Sequence, residues 1–295
     1  MRAPDCILLR FGEISLKSKQ VQRVWLDKFI FNVRNGLNEE KIKYSIKVNP
    51  SRLFIYTKQM EKASEVLKRI FGITSFSYTW VCRSDMKEMG KMAAELASEI
   101  LKLNKKKSFA IRARRSGNHT FTSQDIGREV GSDVNDKTGS EVDLTKPDHE
   151  IFVECRQSDA YVFTGRTEGP GGMPLSTAGR ILAVIDGEKS VAAAWLLMKR
   201  GCTLGVAAKK KDKKFIKIIE RWHIGRSILD YTDADVLDTI QNEGYKAVVV
   251  SEDIEKKLLE KLYERKLLVF RPLVGLTASD IREIWGKVNP KKAVK

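Results

Sequence analysis

Cysteine is scarce in this chain and poorly spaced for chemistry. Cys6, Cys82, Cys155 and Cys202 lie far apart, and no C-x-x-C pair occurs. Such a pattern supports neither a disulfide framework nor a zinc or iron–sulfur site. Histidine is scarcer still. His119, His149 and His223 are too few and too scattered for a clear metal cluster. No apolar run approaches the ~20 residues that a spanning helix needs. The opening MRAPDCILLRFGEISLKS has too short an apolar stretch for a signal peptide. A cytoplasmic location, with no membrane partner, is expected. No internal repeat is visible, and the only low-complexity segment is Lys209 to Lys214.

Negative charge is also in deficit. Against 54 basic side chains stand 38 acidic ones, leaving +16 over 295 residues. The excess is unevenly placed: +8 over residues 1–80, +1 over 81–180 and +7 over 181–295. A surplus of this size favours a polyanionic partner, because each neutralised phosphate releases a counterion. A Lys/Glu-rich surface of the thermophile type is the plainer alternative.

The length suggests two or three domains. Residues 6–10 form a short buried strand in this reading, and Val21 to Leu37 an amphipathic helix through Val24, Trp25, Phe29, Ile30 and Val33. Ile42 to Val48 and Leu53 to Tyr56 alternate like paired strands around an Asn49-Pro50-Ser51-Arg52 turn. A helix over 61–70 and a strand over 73–81 complete a β-α-β-β-α-β order, that of a ferredoxin-like unit. A second unit starts near Cys82. It opens with a helix over 85–103, whose Met89, Met92, Ala93, Leu96 and Ile100 mark a core face. In the strand 109–115, Phe109, Ile111 and Ala113 share one face, with Arg112 and Arg114 on the other. Thr122 caps a helix through about Asn135, with Asp125 at the third helical position. Further strands are expected at 142–144, 151–155 and 160–164.

Gly165 to Pro174, GRTEGPGGMP, marks a connection between domains. Beyond it strands and helices alternate. Strands fall at 182–185, 203–207, 247–250 and 267–270, and helices start near Ser190, Lys214, Thr232, Asp253 and Thr277. That is the pattern of a parallel, doubly wound sheet. The expected fold class is therefore multidomain α/β and α+β.

Two stretches carry candidate chemistry. RARRSGNH, Arg112 to His119, can place Arg112, Arg114 and Arg115 around a phosphate, and His119 and Phe121 can stack on an unpaired base. A solvated strand face is the alternative. Lys17 and Lys19 in GEISLKSK, and the run starting at Lys105, add to the basic surface. The second stretch is ILAVIDGEKSVAAAWLLMKRGC, residues 181–202. It gives a buried strand, a tight loop and a helix, the step at which α/β sheets bind phosphate. Its loop, Asp186-Gly187-Glu188-Lys189, offers one glycine and two carboxylates where a phosphate cradle wants glycines and free amides. Asp186 is expected to cap the helix beginning near Ser190.

Residues 1–180 resemble the ferredoxin-like and THUMP domains of the tRNA 4-thiouridine synthetases (ThiI). The resemblance rests on LLRFGEISLKSK, FAIRARRSGNHTFTSQDIGREVG and VFTGRTEGPGGMPLST. The last third is similar to that family's PP-loop domain, through the strand and helix leading into MKRGC and through FRPLVGLTASDI. The implied domains are 1–80 ferredoxin-like, 81–168 THUMP and 175–295 PP-loop-like, the last a Rossmann-like sheet. The implied partner is tRNA, held at the acceptor stem and 3′ end by Lys17, Lys19, Lys105, Arg112, Arg114, Arg115, His119 and Arg180. The family's PP-loop domain adenylates a uridine with ATP, and sulfur then displaces AMP. Its S-G-G-x-D-S motif falls on Ile185 to Ser190, and only Gly187 and Ser190 match. A carboxylate at Asp186 stands where phosphate oxygens would sit, and Lys189 replaces an aspartate.

Three readings follow. One is a tRNA-binding protein without a catalytic residue or cofactor, which guides a partner enzyme or acts as an RNA chaperone. Another is an active ATP-dependent sulfurtransferase, using Lys189 for phosphate and an external sulfur donor. A protein–protein adaptor with incidental charge is the third.

Overall fold

In the computed structural model of the chain, residues 2–49, 51–224 and 228–290 are described. The chain opens with β1 (Cys6–Phe11), α1 (Lys19–Glu39), β2 (Ser45–Asn49), β3 (Arg52–Tyr56), α2 (Met60–Leu67) and β4 (Ile73–Arg83). This is the expected β-α-β-β-α-β order. Pro50 of the expected turn lies outside the described residues. Next come α3 (Met86–Glu99), β5 (Ser108–Arg115), α4 (Ser123–Thr138), β6 (Glu141–Val142), β7 (His149–Cys155), β8 (Asp159–Phe163) and β9 (Thr167–Glu168). The last part contains β10 (Arg180–Ile185), α5 (Glu188–Lys199), β11 (Thr203–Ala208), α6 (Lys213–Glu220) and β12 (Leu229–Thr232). It ends with α7 (Val236–Glu243), β13 (Ala247–Val249), α8 (Lys256–Glu264), β14 (Leu268–Phe270) and α9 (Ala278–Val288).

The chain divides into two compact units. The first comprises Met1–Arg10, Lys43–Ala63 and Ser75–Glu168; the second comprises Phe11–Ile42, Ser64–Thr74 and Gly169–Lys295.

The first unit is built on a sheet of order β2-β3-β1-β4-β8-β7-β5-β6, with β9 also paired to β4. The long strand β4 is its pivot. Ser75 and Phe76 pair with β9, and Trp80 to Arg83 pair antiparallel with β8. Along this path β3 and β8 are separated by two strands. Even so, the rings of Phe54 (β3) and Tyr161 (β8) stack at 4.2 Å, and Cys6, Leu8, Phe54, Tyr161 and Phe163 form one buried cluster. The sheet therefore folds over at β4, so that β1 and β3 lie face to face with part of β7 and β8. A second core lies between α3, α4 and the strands β5, β7 and β8. Met89, Ala93 and Leu96 pack there with Ile126, Val130, Val134, Phe109 and Val153. Thr122 and Asp125 form the capping box: Asp125 N donates to Thr122 Oγ1 at 3.2 Å, and Thr122 N donates to Asp125 Oδ2 at 2.8 Å. The reciprocal bonds satisfy two amides that a helix start would leave unpaired.

The second unit holds a five-stranded sheet of order β12-β11-β10-β13-β14. Every neighbouring pair is parallel, as the strand–helix alternation predicts. The chain moves from β10 to one side through β11 and β12, then to the other side through β13 and β14. The order reverses at β10, so its carboxyl end is a topological switch point. Strand β12, LDYT, has no counterpart among the strands expected from the sequence. It is a half-exposed edge strand with little apolar content, and Asp230 accepts from Thr232 N at 3.0 Å at its end. The helix expected near Thr232 begins instead at Val236, where the Asp235 carboxylate accepts from Leu237 N and Asp238 N. Trp195 of α5 packs against Phe71 and Trp222, with ring centroids 5.6 and 5.4 Å away.

The glycine-rich junction is docked rather than free. Gly171 N donates to Ile73 O and Met173 N to Lys199 O, at 2.8 and 2.9 Å. Gly172 has φ 74°, and a Cβ there would strike the Lys199 carbonyl.

Gly205 in β11 lies under two rigid rings, and an added Cβ would meet Tyr245 and Tyr231. Gly205→Ala should lower stability by about 1–3 kcal/mol, the usual range for overpacking. Urea unfolding with an unchanged m-value checks this.

Candidate nucleic-acid interface

An open groove of the first unit runs along β5. Strand β6 pairs only with Ser108 and Phe109, so the rest of β5 on that side is a sheet edge. A groove of about 1610 Å³ follows this edge. Its walls carry Arg112, Arg114, Arg128, Lys146 and Arg166, with Gly127 and Gly131 of α4 keeping it wide. The alternation of β5 places the arginines: Phe109 and Ile111 turn into the core, and Arg114 is exposed. Arg112 is partly committed. Its Nε donates to Glu150 at 2.6 Å and its Nη2 to Leu144 O at 3.1 Å.

Phe152 and Phe163 lie in the groove, stacked at 5.0 Å with 8° between their planes. Arg166 sits over Phe152 at 4.3 Å and Arg10 over Phe163 at 4.6 Å. The rings and guanidinium groups thus form a stacked ladder, with Phe163 and Arg10 buried at one end and Arg166 exposed at the other.

Beneath it sits Glu154, only 7% of whose side chain is exposed. Arg52 clasps its carboxylate through Nε and Nη2 at 3.0–3.3 Å. Arg156 lies at 3.4 Å and Arg10 at 3.6 Å. Burial opposes ionisation of Glu154, but the hydrogen bond from Arg52 and the charges of Arg52, Arg10 and Arg156 outweigh it. The carboxyl is therefore held below the usual carboxylate range. Arg10 is pulled down to about 10 by its burial, which Glu154 opposes and the nearby Arg166, Arg52 and Arg114 reinforce.

The residues read from the sequence fall in several places. Arg112 and Arg114 meet in the groove. Arg115 turns away to donate to Gly117 O at 2.9 Å. His119 stacks on Phe121 at 4.9 Å, and its Nε2 lies 3.1 Å from Arg156 O. Lys105 is exposed, with its stem against Gly139. The second unit holds Lys17 over Trp25 at 4.8 Å, exposed Lys19 at the start of α1, and Arg180. Arg180 donates to Glu243 O at 3.0 Å and covers the Tyr245 ring at 4.6 Å. Sequence reading missed Arg10, Arg52, Arg128, Lys146, Phe152, Glu154 and Arg166. Arg166 sits inside the conspicuous glycine-rich junction, but nothing in the sequence pairs it with Phe152.

The loop at the switch point of the second unit has a different structure. Asp186 N and Gly187 N donate to Ser190 Oγ at 2.9 and 3.0 Å, and Ser190 Oγ donates to Gly187 O at 2.8 Å. The helix cap is Gly187, in extended conformation, with no side-chain cap from Asp186. This corrects the expected capping role of Asp186. The buried Ser190 hydroxyl reaches both amides, whereas the Asp186 carboxylate is turned out to solvent. Lys189 Nζ pairs with Glu252 at 3.3 Å and Asp253 at 2.9 Å. Those carboxylates, through their hydrogen bonds, push the lysine above its ordinary range.

Two domain families match the chain: the ThiI ferredoxin-like domain over residues 6–77 and the THUMP domain over residues 83–164. A structure of PH1313 from Pyrococcus horikoshii is similar, with a TM-score of 0.83 and 26% identity over 95% of this chain and 98% of that one. A 4-thiouridine synthetase, solved with RNA and ATP, shares the fold with a TM-score of 0.81 at 19% identity, over 97% of this chain and 85% of that one. Fold and domain matches define a THUMP-domain protein with a parallel carboxyl-terminal sheet. The "Probable tRNA sulfurtransferase" of Methanosarcina mazei is 30% identical over 97% of this chain and 82% of its own length. The chain belongs to the tRNA sulfurtransferase family. Against the relatives from Methanosarcina acetivorans and Methanobrevibacter smithii it spans only 59% and 52% of their length. The Methanosarcina mazei alignment runs over 338 positions against a chain of 295 residues. That relative therefore has several dozen residues, inside the aligned span, that face no residue here.

Glu154→Ala should cost about 3–5 kcal/mol, because it leaves buried guanidinium groups uncompensated. Glu154→Gln gives the pH signature. A carboxyl held low stabilises the fold fully above its unfolded pKa of about 4.3, and the gain is lost as pH falls through the folded value. Acid unfolding should therefore flatten in the Gln variant, as monitored by circular dichroism.

Proposed function

We propose that this chain is a tRNA-binding member of the family whose own carboxyl-terminal domain does not adenylate uridine. In this reading residues 1–80 are the ferredoxin-like domain, 81–168 the THUMP domain and 175–295 a PP-loop-like domain with a degraded loop. The groove along β5 takes phosphate on Arg112 and Arg114, and the exposed guanidinium of Arg166, backed by Phe152, offers its outer face to an unpaired base from the acceptor stem's 3′ end. The cytoplasm, where tRNA is found, is its place of work.

One observation carries the catalytic half of the proposal. The loop amides that would face a pyrophosphate are occupied by Ser190, and Lys189 is held by Glu252 and Asp253. A phosphate would have to displace both sets of partners and approach the Asp186 carboxylate. Sulfur chemistry has little support from the thiols. Burial pushes Cys6 up to about 11 and Cys82 to about 12, and it raises Cys155 and Cys202. Thiolates are the reactive form, and such shifts deplete them. A partner enzyme or external sulfur donor would supply whatever chemistry follows tRNA binding.

A second reading, ATP-dependent 4-thiouridine synthesis, draws on a cavity of about 730 Å³ at the carboxyl ends of β10 and β11, lined in part by Lys209, Lys211, Lys257 and Lys261. The two readings separate on nucleotide dependence. Filter binding should show salt-sensitive tRNA binding that ATP leaves unchanged, with no tRNA-dependent ATP–pyrophosphate exchange. Measurable exchange with folded protein would establish the second reading instead. Arg112→Ala with Arg114→Ala should weaken tRNA binding about 10-fold or more, and the salt slope should drop by roughly 0.9 for each phosphate no longer neutralised. Undiminished tRNA binding in this variant would remove the groove from the reading, and absence of tRNA binding by the folded wild type would favour the adaptor.

A further inference from the structure

The second unit carries a cationic feature outside the groove. Residues 209–214 read KKKDKK, and Lys217 follows on the same helix. All six lysines are exposed, whereas Asp212, the one acidic residue in the run, is buried. The fold leaves this charge largely unmatched. Lys213 lies 3.7 Å from Asp230 and Lys214 covers the Phe215 ring at 4.9 Å. Among the described residues, Lys209, Lys210, Lys211 and Lys217 form no side-chain ion pair.

The lysines are presented on a fixed support. Strand β11 ends at Ala208, and a 3-10 turn, Lys210–Asp212, leads directly into α6. Lys210 N donates to Asp233 Oδ1 at 2.8 Å, and Asp212 N to Lys209 O at 2.8 Å. Ile216 and Ile219 bury the inner face of α6. The first turn of that helix has no acidic residue, so the lysines crowd its positive end. The buried carboxylate of Asp212 stands at the N-cap of α6 and complements the helix dipole, while the ammonium groups around it stay exposed to solvent. A bound polyanion would neutralise these exposed, mutually repelling ammonium groups.

We propose that Lys209, Lys210, Lys211, Lys213, Lys214 and Lys217 form a second phosphate-binding surface, which contacts the RNA backbone of a bound tRNA. The proposal rests on the tRNA-binding reading above. RNA fits better than a free nucleotide: only Lys209 and Lys211 line the nearby cavity, while the others spread over the turn and the outer face of α6. A spread of point charges without an enclosing pocket suits a repeating phosphate chain, and its contacts carry no sequence information.

The test compares the full chain with a Lys209→Gln/Lys210→Gln/Lys211→Gln/Lys214→Gln variant. Binding of a tRNA transcript is measured across a salt series, beside the Arg112→Ala/Arg114→Ala variant. The lysine variant should lose about 10- to 100-fold in affinity at low salt, and its slope of log K against log salt should fall by roughly 2–4. Its Tm should hold or rise, because like charges at the helix start are removed. Unchanged affinity and slope, with the arginine variant impaired, would overturn the second surface and leave the tRNA reading standing. Displacement of tRNA from the wild type by millimolar ATP, absent in the lysine variant, would assign these lysines to a free nucleotide and overturn it. Equal competition by polyglutamate would reduce the surface to an unselective cation patch and overturn it as well. Absence of tRNA binding in the wild type would sink the tRNA reading itself, and this surface with it.

Discussion

A single buried carboxylate holds the first unit's cationic face together. Glu154 sits on β7, yet its partners come from β1, from β3 and from the turn after β7. The arginines repel one another and are costly to bury; the carboxylate between them makes that placement tolerable. The same contacts tie the two halves of the folded-over sheet, beside the Phe54–Tyr161 stack. Removing the charge therefore threatens both the fold and the surface it presents. In this unit the residues that stabilise the fold also shape the proposed binding face, and mutational data must separate affinity from unfolding.

The second unit follows another principle. Its parallel sheet keeps the topology that creates a crevice at the carboxyl end of β10. The loop filling that position is satisfied from within. Ser190 takes the amides, and Glu252 and Asp253 take the lysine. A phosphate site needs donors held open and waiting. Here internal partners already provide what a phosphate would provide. Fold and chemistry depend on different residues, so the parallel sheet fixes the crevice while the loop residues alone set what it can hold.

Much of this is legible in the residues themselves. Periodicity locates most strands and helices, because core faces repeat at two or at 3.6 residues and the apolar residues mark them. The Thr122–Asp125 cap is readable because its partners are three residues apart. Strand β12 is not, since an edge strand can be polar and short. The groove is half legible: Arg112 and Arg114 alternate away from the core on one strand. Arg166, Arg10 and Phe152 join them through contacts between residues far apart in sequence, which no local pattern encodes.

The sequence by itself determined the strand–helix order, the basic surplus and the presence of carboxylates and a lysine in the Asp186–Ser190 loop. All of these are properties of residue type and short spacing. Only the tertiary structure decided that Ser190, not Asp186, closes the helix start, and that Lys189 is bound to carboxylates more than sixty residues away. It also decided that Glu154 is buried among arginines. These depend on which strands become neighbours and where the sheet turns over, and that is settled by packing of the whole chain.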